Sequence, residues 1–216
     1  MNALGGKRFL VVEGPIGVGK TSLARRLAEA FGGEPLLEQA RDNPFLERFY
    51  QDPRRHALAT QLFFLFQRSR QLAELRQADL FRPLVVADFL LDKDRLFARL
   101  NLDDDEYHLY RQAYQSLAPE MPVPDLLICL QAPVAVLKAR IQGRGVPYEQ
   151  AMDEAYLARV SDAYTQFFHH YDAGPLLIVN VEAVDLVNDD EAFALLVEEI
   201  RRVDAGRHYF NPPPAP

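Results

Sequence analysis

The sequence holds a single cysteine, Cys129, in 216 residues. An internal disulfide is therefore excluded, and one thiol fits a reducing compartment. No apolar run approaches the ~18 residues of a membrane span, and residues 1–7 lead straight into a strand pattern rather than a signal peptide. A cytoplasmic protein without a membrane partner is the expectation. Positive charge is also scarce: 24 Lys and Arg stand against 31 Asp and Glu, a net charge of −7. Gripping nucleic acid by its phosphates needs a basic face, so that class of function is set aside. No internal repeat and no Gly/Ser-rich linker divides the chain, which points to one domain over residues 1–216. Apolar residues make up 49% and charged residues 25%, the balance of a globular α/β domain with a full core.

Short β-rich apolar runs alternate with longer helical patterns, the rhythm of a parallel sheet with crossover helices. The predicted strands are Arg8–Glu13, Pro35–Glu38, Leu84–Asp88, Asp125–Leu130 and Leu176–Asn180. Helices are expected to begin near Lys20, Pro44, Arg54, Leu91, Asp105, Pro133, Asp153 and Asp190, several behind Asn or Asp start signals. The proline-rich tail, residues 211–216, cannot be helical.

Residues 14–21 read GPIGVGKT, a full match to G-x-x-x-x-G-K-[S/T]. Gly14, Gly17 and Gly19 let the backbone wrap closely, so that successive N–H groups point at phosphate oxygens. Lys20, one of four lysines in an arginine-dominated chain, brings a mobile ammonium to the β- and γ-phosphates, and the Thr21 hydroxyl suits Mg²⁺. The strand RFLVVE runs in, and a helix with Leu23, Leu27 and Phe31 on one stripe runs out, with its positive end toward the anion. Gly14, Pro15, Ile16, Gly17, Val18, Gly19, Lys20, Thr21 and Ser22 are thus the expected ATP-binding residues. Neither Asn-Lys-x-Asp nor Asp-x-x-Gly occurs, so a guanine-nucleotide switch lacks its base reader and its γ-phosphate sensor. A small-molecule kinase fits the size best.

Further blocks narrow the class. PLLEQARDNPFLERFYQDP, ALATQLFFLFQRSRQL, VVADFLLDKDRLFARLNL, PDLLICLQAPVAVLKARIQGRGVPYE and HYFNP follow the loop in order. With them the chain resembles the deoxyribonucleoside kinase family, in particular its bacterial deoxyguanosine/deoxyadenosine kinase branch. The resemblance implies a P-loop NTPase kinase fold: a five-stranded parallel sheet of order 2-3-1-4-5, helices on both faces and a small lid at about residues 140–150. It also implies transfer of a phosphoryl group from ATP, with Mg²⁺, to a deoxynucleoside. A homodimer, or a heterodimer with a related subunit, is the implied assembly.

The residues carry that reading individually. Glu38 closes the second predicted strand, where a carboxylate can take the proton of an attacking hydroxyl; the resemblance makes it the catalytic base. Leu58, Gln61, Leu65, Arg68 and Leu72 share one helical stripe, which places two polar groups on an apolar face. An amide offers both donor and acceptor to a base edge, and relatives place their base-reading Gln and Arg at these two positions. Asp88 closes the third strand at the ligand-binding edge of the sheet. Here the chain departs from its relatives: Phe89 follows the acid where many carry Arg. Lys93 is one replacement, as a point charge rather than a fork, and either Asp92 or Asp94 is a partner for Arg68. Arg140 and Arg144, spaced i,i+4, are the implied lid arginines that stabilise the transferring phosphoryl. Tyr50 and Glu149 are the implied grip on the sugar 3′-hydroxyl. The bland alternatives are a strand-end surface Glu, a snorkelling Arg and a solvated basic helix face. A nucleoside monophosphate kinase similar to thymidylate kinase, and a weakly active partner subunit, remain the rival functions.

Overall fold

In the computed structural model, which describes residues 4–76, 84–117, 123–150 and 152–213, the apolar runs form one parallel sheet. Its strands are β1 (Phe9–Glu13), β2 (Glu34–Leu36), β3 (Val85–Ala87), β4 (Leu126–Gln131), β5 (Leu176–Asn180) and β6 (Arg207–Phe210), in the order β2-β3-β1-β4-β5-β6. The first five keep the expected order. The strand count is corrected from five to six, because residues 207–210 pair in parallel with β5. That strand carries no apolar run: its side chains are largely exposed, and the Arg207 guanidinium donates to the carbonyls of Phe168, His169 and Tyr171. Pairing by backbone and one arginine leaves no hydrophobic period to read.

The helices are α1 (Lys20–Ala30), α2 (Leu46–Gln51), α3 (Pro53–Arg76), α4 (Lys93–Asn101), α5 (Asp104–Leu117), α6 (Val134–Arg144), α7 (Pro147–Gln150), α8 (Glu154–His169) and α9 (Asp190–Arg202). Successive strand residues point to opposite faces, and both faces are covered, as in parallel sheets generally. On one face Leu10, Val12 and Ile128 meet Leu27, Leu137 and Leu196 of α1, α6 and α9. On the other, Val11, Leu127, Cys129 and Ile178 meet Val160, Tyr164 and Phe168 of α8. Cys129 is core, as its LLICL context suggests. Beyond the sheet, α3, α4 and α5 bury Leu65, Leu72, Ala98 and Tyr110 together with Phe89 and Leu91.

Element ends move in ways that matter for the site. β2 stops at Leu36, two residues before Glu38, because side chains replace strand partners there. Gln71 Nε2 on α3 donates to the Leu37 carbonyl at 2.9 Å and Gln67 Nε2 to that of Gln39 at 3.3 Å. α4 begins at Lys93 rather than Leu91, since Phe89, Leu90 and Leu91 are drawn into the core first. α2 begins at Leu46 rather than Pro44, with the Asn43 side chain accepting from Phe45 N at 3.0 Å. Asp153 and Asp189 cap α8 and α9 by accepting backbone N–H groups. Of the proline-rich tail, residues 211–213 are described and carry no helix; residues 214–216 lie outside the described residues.

Candidate active site

The phosphate loop joins β1 to α1 and depends on its glycines. Gly14 has φ +146°, and a Cβ there would stand 2.4 Å from the Leu130 carbonyl oxygen. Gly17 has φ +86°, and its Cβ would meet the Leu137 carbonyl oxygen at 2.8 Å. Neither position accepts another side chain without moving β4 or α6. The first turn of α1 carries no acid and no side-chain cap, so its positive end faces the loop unopposed. Lys20 Nζ donates to the carbonyls of Gly14 at 2.8 Å and Pro15 at 3.1 Å. Burial and the neighbouring Lys93 hold its pKa down at about 8. Thr21 Oγ1 donates to Asp88 Oδ2 at 2.5 Å.

Glu38 is set opposite the loop by backbone as well as side chain. Its N–H donates to Asp88 Oδ1 at 2.7 Å, so one carboxylate binds both the Thr21 hydroxyl and the Glu38 segment. The Glu38 carboxylate accepts from Arg68 Nε at 2.8 Å and from Arg68 Nη2, and Lys93 Nζ stands 3.2 Å away. Burial alone would raise its pKa, but Arg68 and Lys93 outweigh it and hold the group at about 2. Glu38 is therefore ionised at neutral pH. Asp88 shows the reverse balance, with burial raising its pKa against the Thr21 and Glu38 hydrogen bonds.

The open alternatives around Asp88 are now decided by geometry. Asp94, wholly buried, is the acid that ion-pairs with Arg68 Nη1; Asp92 lines a separate cavity with Leu96 and Arg99. Arg68 neither snorkels nor stands free over a base. It is 3% exposed, clamped between Glu38 and Asp94, with its guanidinium 4.8 Å above the Phe64 ring. The cation missing after Asp88 has a counterpart in Lys93, which lies between Glu38 and Glu13.

One cavity gathers most of the predicted residues. Gly17, Lys20, Thr21, Glu38, Tyr50, Gln61, Arg68, Asp88, Arg144 and Glu149 all line it. Its apolar walls are Leu46, Phe49, Phe64, Phe97 and Tyr156. Tyr50 stacks on Tyr148 with ring centroids 5.9 Å apart, and burial together with nearby Tyr156 and Glu149 raises its phenol well above the usual range. Arg144 Nη2 donates to Glu149 Oε2 at 2.5 Å, which links the end of α6 to α7. Among the predicted catalytic and acceptor-side residues, Arg140 alone does not line the cavity, and its placement differs from expectation. Its guanidinium donates to the carbonyls of Val181 at 2.7 Å and of Val184 and Val18 at 3.4 Å, so it fastens the loop to the β5–α9 connection. Although the two are spaced i,i+4 on α6, Arg140 reaches these backbone carbonyls while Arg144 lines the cavity. Arg140 lines a second cavity with Val18, Gly19, Ser22 and Asp185.

Sequence reasoning passed over Glu13, which reads as the end of an apolar strand. It is fully buried, and its carboxylate accepts from Gly14 N, Leu90 N and Tyr164 Oη. An acid closing FLVVE immediately before the glycines was the available signal. The aromatic residues Phe97 and Tyr156 gave none, because aromatics at helical spacing read as core.

Comparison with known proteins agrees with this geometry. A family model described as deoxynucleoside kinase matches residues 10–203. The chain belongs to the deoxynucleoside kinase family. A deoxyguanosine kinase of Bacillus subtilis (strain 168) is 31% identical over 199 residues, 91% of this chain and 94% of its own. A deoxyadenosine/deoxycytidine kinase of the same organism is 28% identical over 202 residues, 90% of this chain and 92% of its own. Among solved structures, M. mycoides deoxyadenosine kinase with the products dCMP and dCDP superposes with a TM-score of 0.76 at 23% identity, covering 89% of this chain and 98% of that one. The fold is thus that of the P-loop kinases, and the chain is a phosphotransferase of this family. Among the described residues, no helix is long and apolar enough to cross a membrane.

Proposed function

We propose that this kinase transfers the γ-phosphoryl of ATP to the 5′-hydroxyl of a deoxyribonucleoside, purines first and deoxycytidine second. The observation that carries the reading is one cavity in which the Lys20 ammonium and the Glu38 carboxylate meet a base-sized wall of Gln61, Arg68 and Phe64. The loop amides and Lys20 bind the donor, and the second cavity at Arg140 leaves room for the rest of it. Glu38 receives the 5′-hydroxyl proton as the oxygen bonds to the γ-phosphorus and the bridge to the β-phosphate breaks, leaving ADP and the 5′-monophosphate. A carboxylate near pKa 2 is a weak base. Phosphoryl transfer is mostly positioning and charge stabilisation, so its main contribution is to orient the hydroxyl.

Thr21 Oγ1 and the Asp88 carboxylate form a hard oxygen pair beside the loop, a donor set that fits Mg²⁺. Bound there with ATP, the ion would neutralise charge on the transferring phosphoryl. Arg144, from the lid at residues 140–150, supplies a further cation at the cavity. Tyr50 and Glu149 grip the 3′-hydroxyl, one donating and one accepting. Gln61 pairs with the base. Arg68, held by Glu38 and Asp94, closes the same cavity beside Gln61 and favours a purine through its charge and its place in the wall. We further propose that the chain works as a single domain in the cytoplasm, as a homodimer or with a related subunit.

The test is a phosphorylation panel of all deoxynucleosides, their monophosphates and ribonucleosides with ATP–Mg²⁺. Deoxyguanosine and deoxyadenosine should turn over fastest and monophosphates not at all. Turnover of monophosphates alone would overturn the reading, and a strong preference for thymidine would overturn the base assignment.

A further inference from the structure

Lys93 is 2% exposed at the first position of α4. Burying an ammonium is costly unless it is paired, and this one is paired twice, 3.3 Å from Glu13 Oε1 and 3.2 Å from Glu38 Oε1. The two carboxylates come from different places in the sheet. Glu13 ends β1, the strand that delivers the phosphate loop, while Glu38 follows β2, and β3 lies between these strands. Glu13 is itself immobilised: Oε2 accepts from Gly14 N at 3.0 Å and Tyr164 Oη at 3.1 Å, and Oε1 from Leu90 N at 2.7 Å. Glu38 sits beyond the end of β2, its N–H on Asp88 and its carboxylate on Arg68. Lys93 therefore ties the Glu38 carboxylate, which Arg68 grips from the other side, to the fixed Glu13 across an intervening strand.

We propose that Lys93 is a positioning residue for phosphoryl transfer: by bridging Glu13 and Glu38 it sets the distance between the acceptor-side carboxylate and the phosphate loop. The sequence around it explains why a lysine does this from α4. Phe89 and Leu90, which follow Asp88, are 1% and 3% exposed in the core, so neither position carries a cation. Leu91 is buried as well. The first side chain after Asp88 that brings positive charge back to the carboxyl edge of the sheet is Lys93. Its long stem lets the point charge reach both acids at once.

This inference rests on Glu38 being the group that orients the 5′-hydroxyl, and the experiment separates the two claims. Lys93→Met, Lys93→Gln and Lys93→Arg are compared with the wild type in steady-state kinetics on deoxyguanosine and ATP–Mg²⁺, with thermal melting as a fold check. Displacing an orienting group by about 1 Å costs on the order of 10²-fold. kcat of Lys93→Met should fall by about that factor, while both KM values move less than about threefold. Lys93→Arg, which keeps a cation in reach of both acids, should recover at least a tenth of wild-type kcat. Where the Met variant fails to fold, Lys93→Gln carries the test, since its amide still donates to a buried carboxylate without the charge. Wild-type kcat in a folded Met or Gln variant would overturn the inference, as would a loss confined to the KM for ATP. Failure of Arg to exceed Met would also overturn it. A wild type inert on every deoxynucleoside would overturn the functional reading beneath it.

Discussion

Replacing Glu38 by Gln keeps the shape of the side chain and removes its charge. In the structure that charge lies between Arg68 and Lys93, which hold the carboxyl at about 2 rather than 4.5. A depressed carboxylate stabilises the fold above its unfolded pKa, and that contribution is lost as pH falls through the folded value. At pH 7 the shift corresponds to roughly 3–4 kcal/mol at most. Part of this survives, because the amide oxygen still accepts from Arg68, while Asp94 and Glu13 still pair with the two cations. A domain of this size loses about 2–4 °C of Tm per kcal/mol, so melting should drop by less than about 10 °C. Catalysis should suffer more: an acid–base group contributes typically ~10²–10⁴-fold, and kcat should fall within that range. The KM for ATP should stay within about threefold, since Glu38 lies on the acceptor side. Coupled ADP release, with thermal melting in parallel, measures all three. A folded Glu38→Gln enzyme with kcat within threefold of wild type would refute the role, because the 5′-hydroxyl proton would then be handled elsewhere.

Three other outcomes follow from the same contacts. Lys20 titrates at about 8 in the free protein, and phosphates favour its charged form, so ATP binding near pH 8 should take up roughly half a proton. Calorimetry in buffers of different ionisation enthalpy would show this; no buffer dependence would contradict it. Arg68→Met should lose purine activity and relatively favour pyrimidines, and it should also melt lower because Asp94 is left buried without its cation. An unchanged purine-to-pyrimidine ratio would remove Arg68 from base recognition. Tyr50→Phe removes one hydrogen bond worth about 0.5–1.5 kcal/mol, so deoxynucleoside KM should rise several-fold, whereas a 2′,3′-dideoxy acceptor should show little difference. Equal losses on both acceptors would mean that Tyr50 acts through packing.

What the sequence made legible was periodic or local. Strands covered on both faces announce themselves as apolar runs, and the glycine loop is a contiguous motif with a mechanical reason for each residue. Gln61 and Arg68 stood out because polar groups broke a long apolar helical stripe, and the structure places both in the cavity. What stayed hidden depends on which partner a side chain finds across the fold. Arg68 and Asp94 are 26 positions apart in the chain, and nothing local ranks Asp94 above Asp92. Arg140 and Arg144 share a helix but find carbonyls and a carboxylate respectively. β6 was missed because an edge strand joined through its backbone needs no hydrophobic pattern.

The charges of the cavity bear on the proposed metal dependence. Glu13, Glu38, Asp88 and Asp94 are four buried or nearly buried carboxylates at the centre of the site, against three cations, Lys20, Arg68 and Lys93. Arg68 and Lys93 are fully occupied by those acids, and Lys20 is folded onto the Gly14 and Pro15 carbonyls. An incoming triphosphate can therefore recruit Lys20 by exchanging neutral carbonyls for phosphate oxygens, at little cost in broken ion pairs. It cannot recruit Arg68 or Lys93 without stripping a buried carboxylate of its partner, which typically costs several kcal/mol. Placing more negative charge beside Asp88 and Glu38 then requires positive charge from outside the cluster. Arg144, about half exposed and paired to Glu149, is one source near the cavity mouth. A divalent cation held by the Thr21 hydroxyl and the Asp88 carboxylate would be the other, at the point where the repulsion would be greatest.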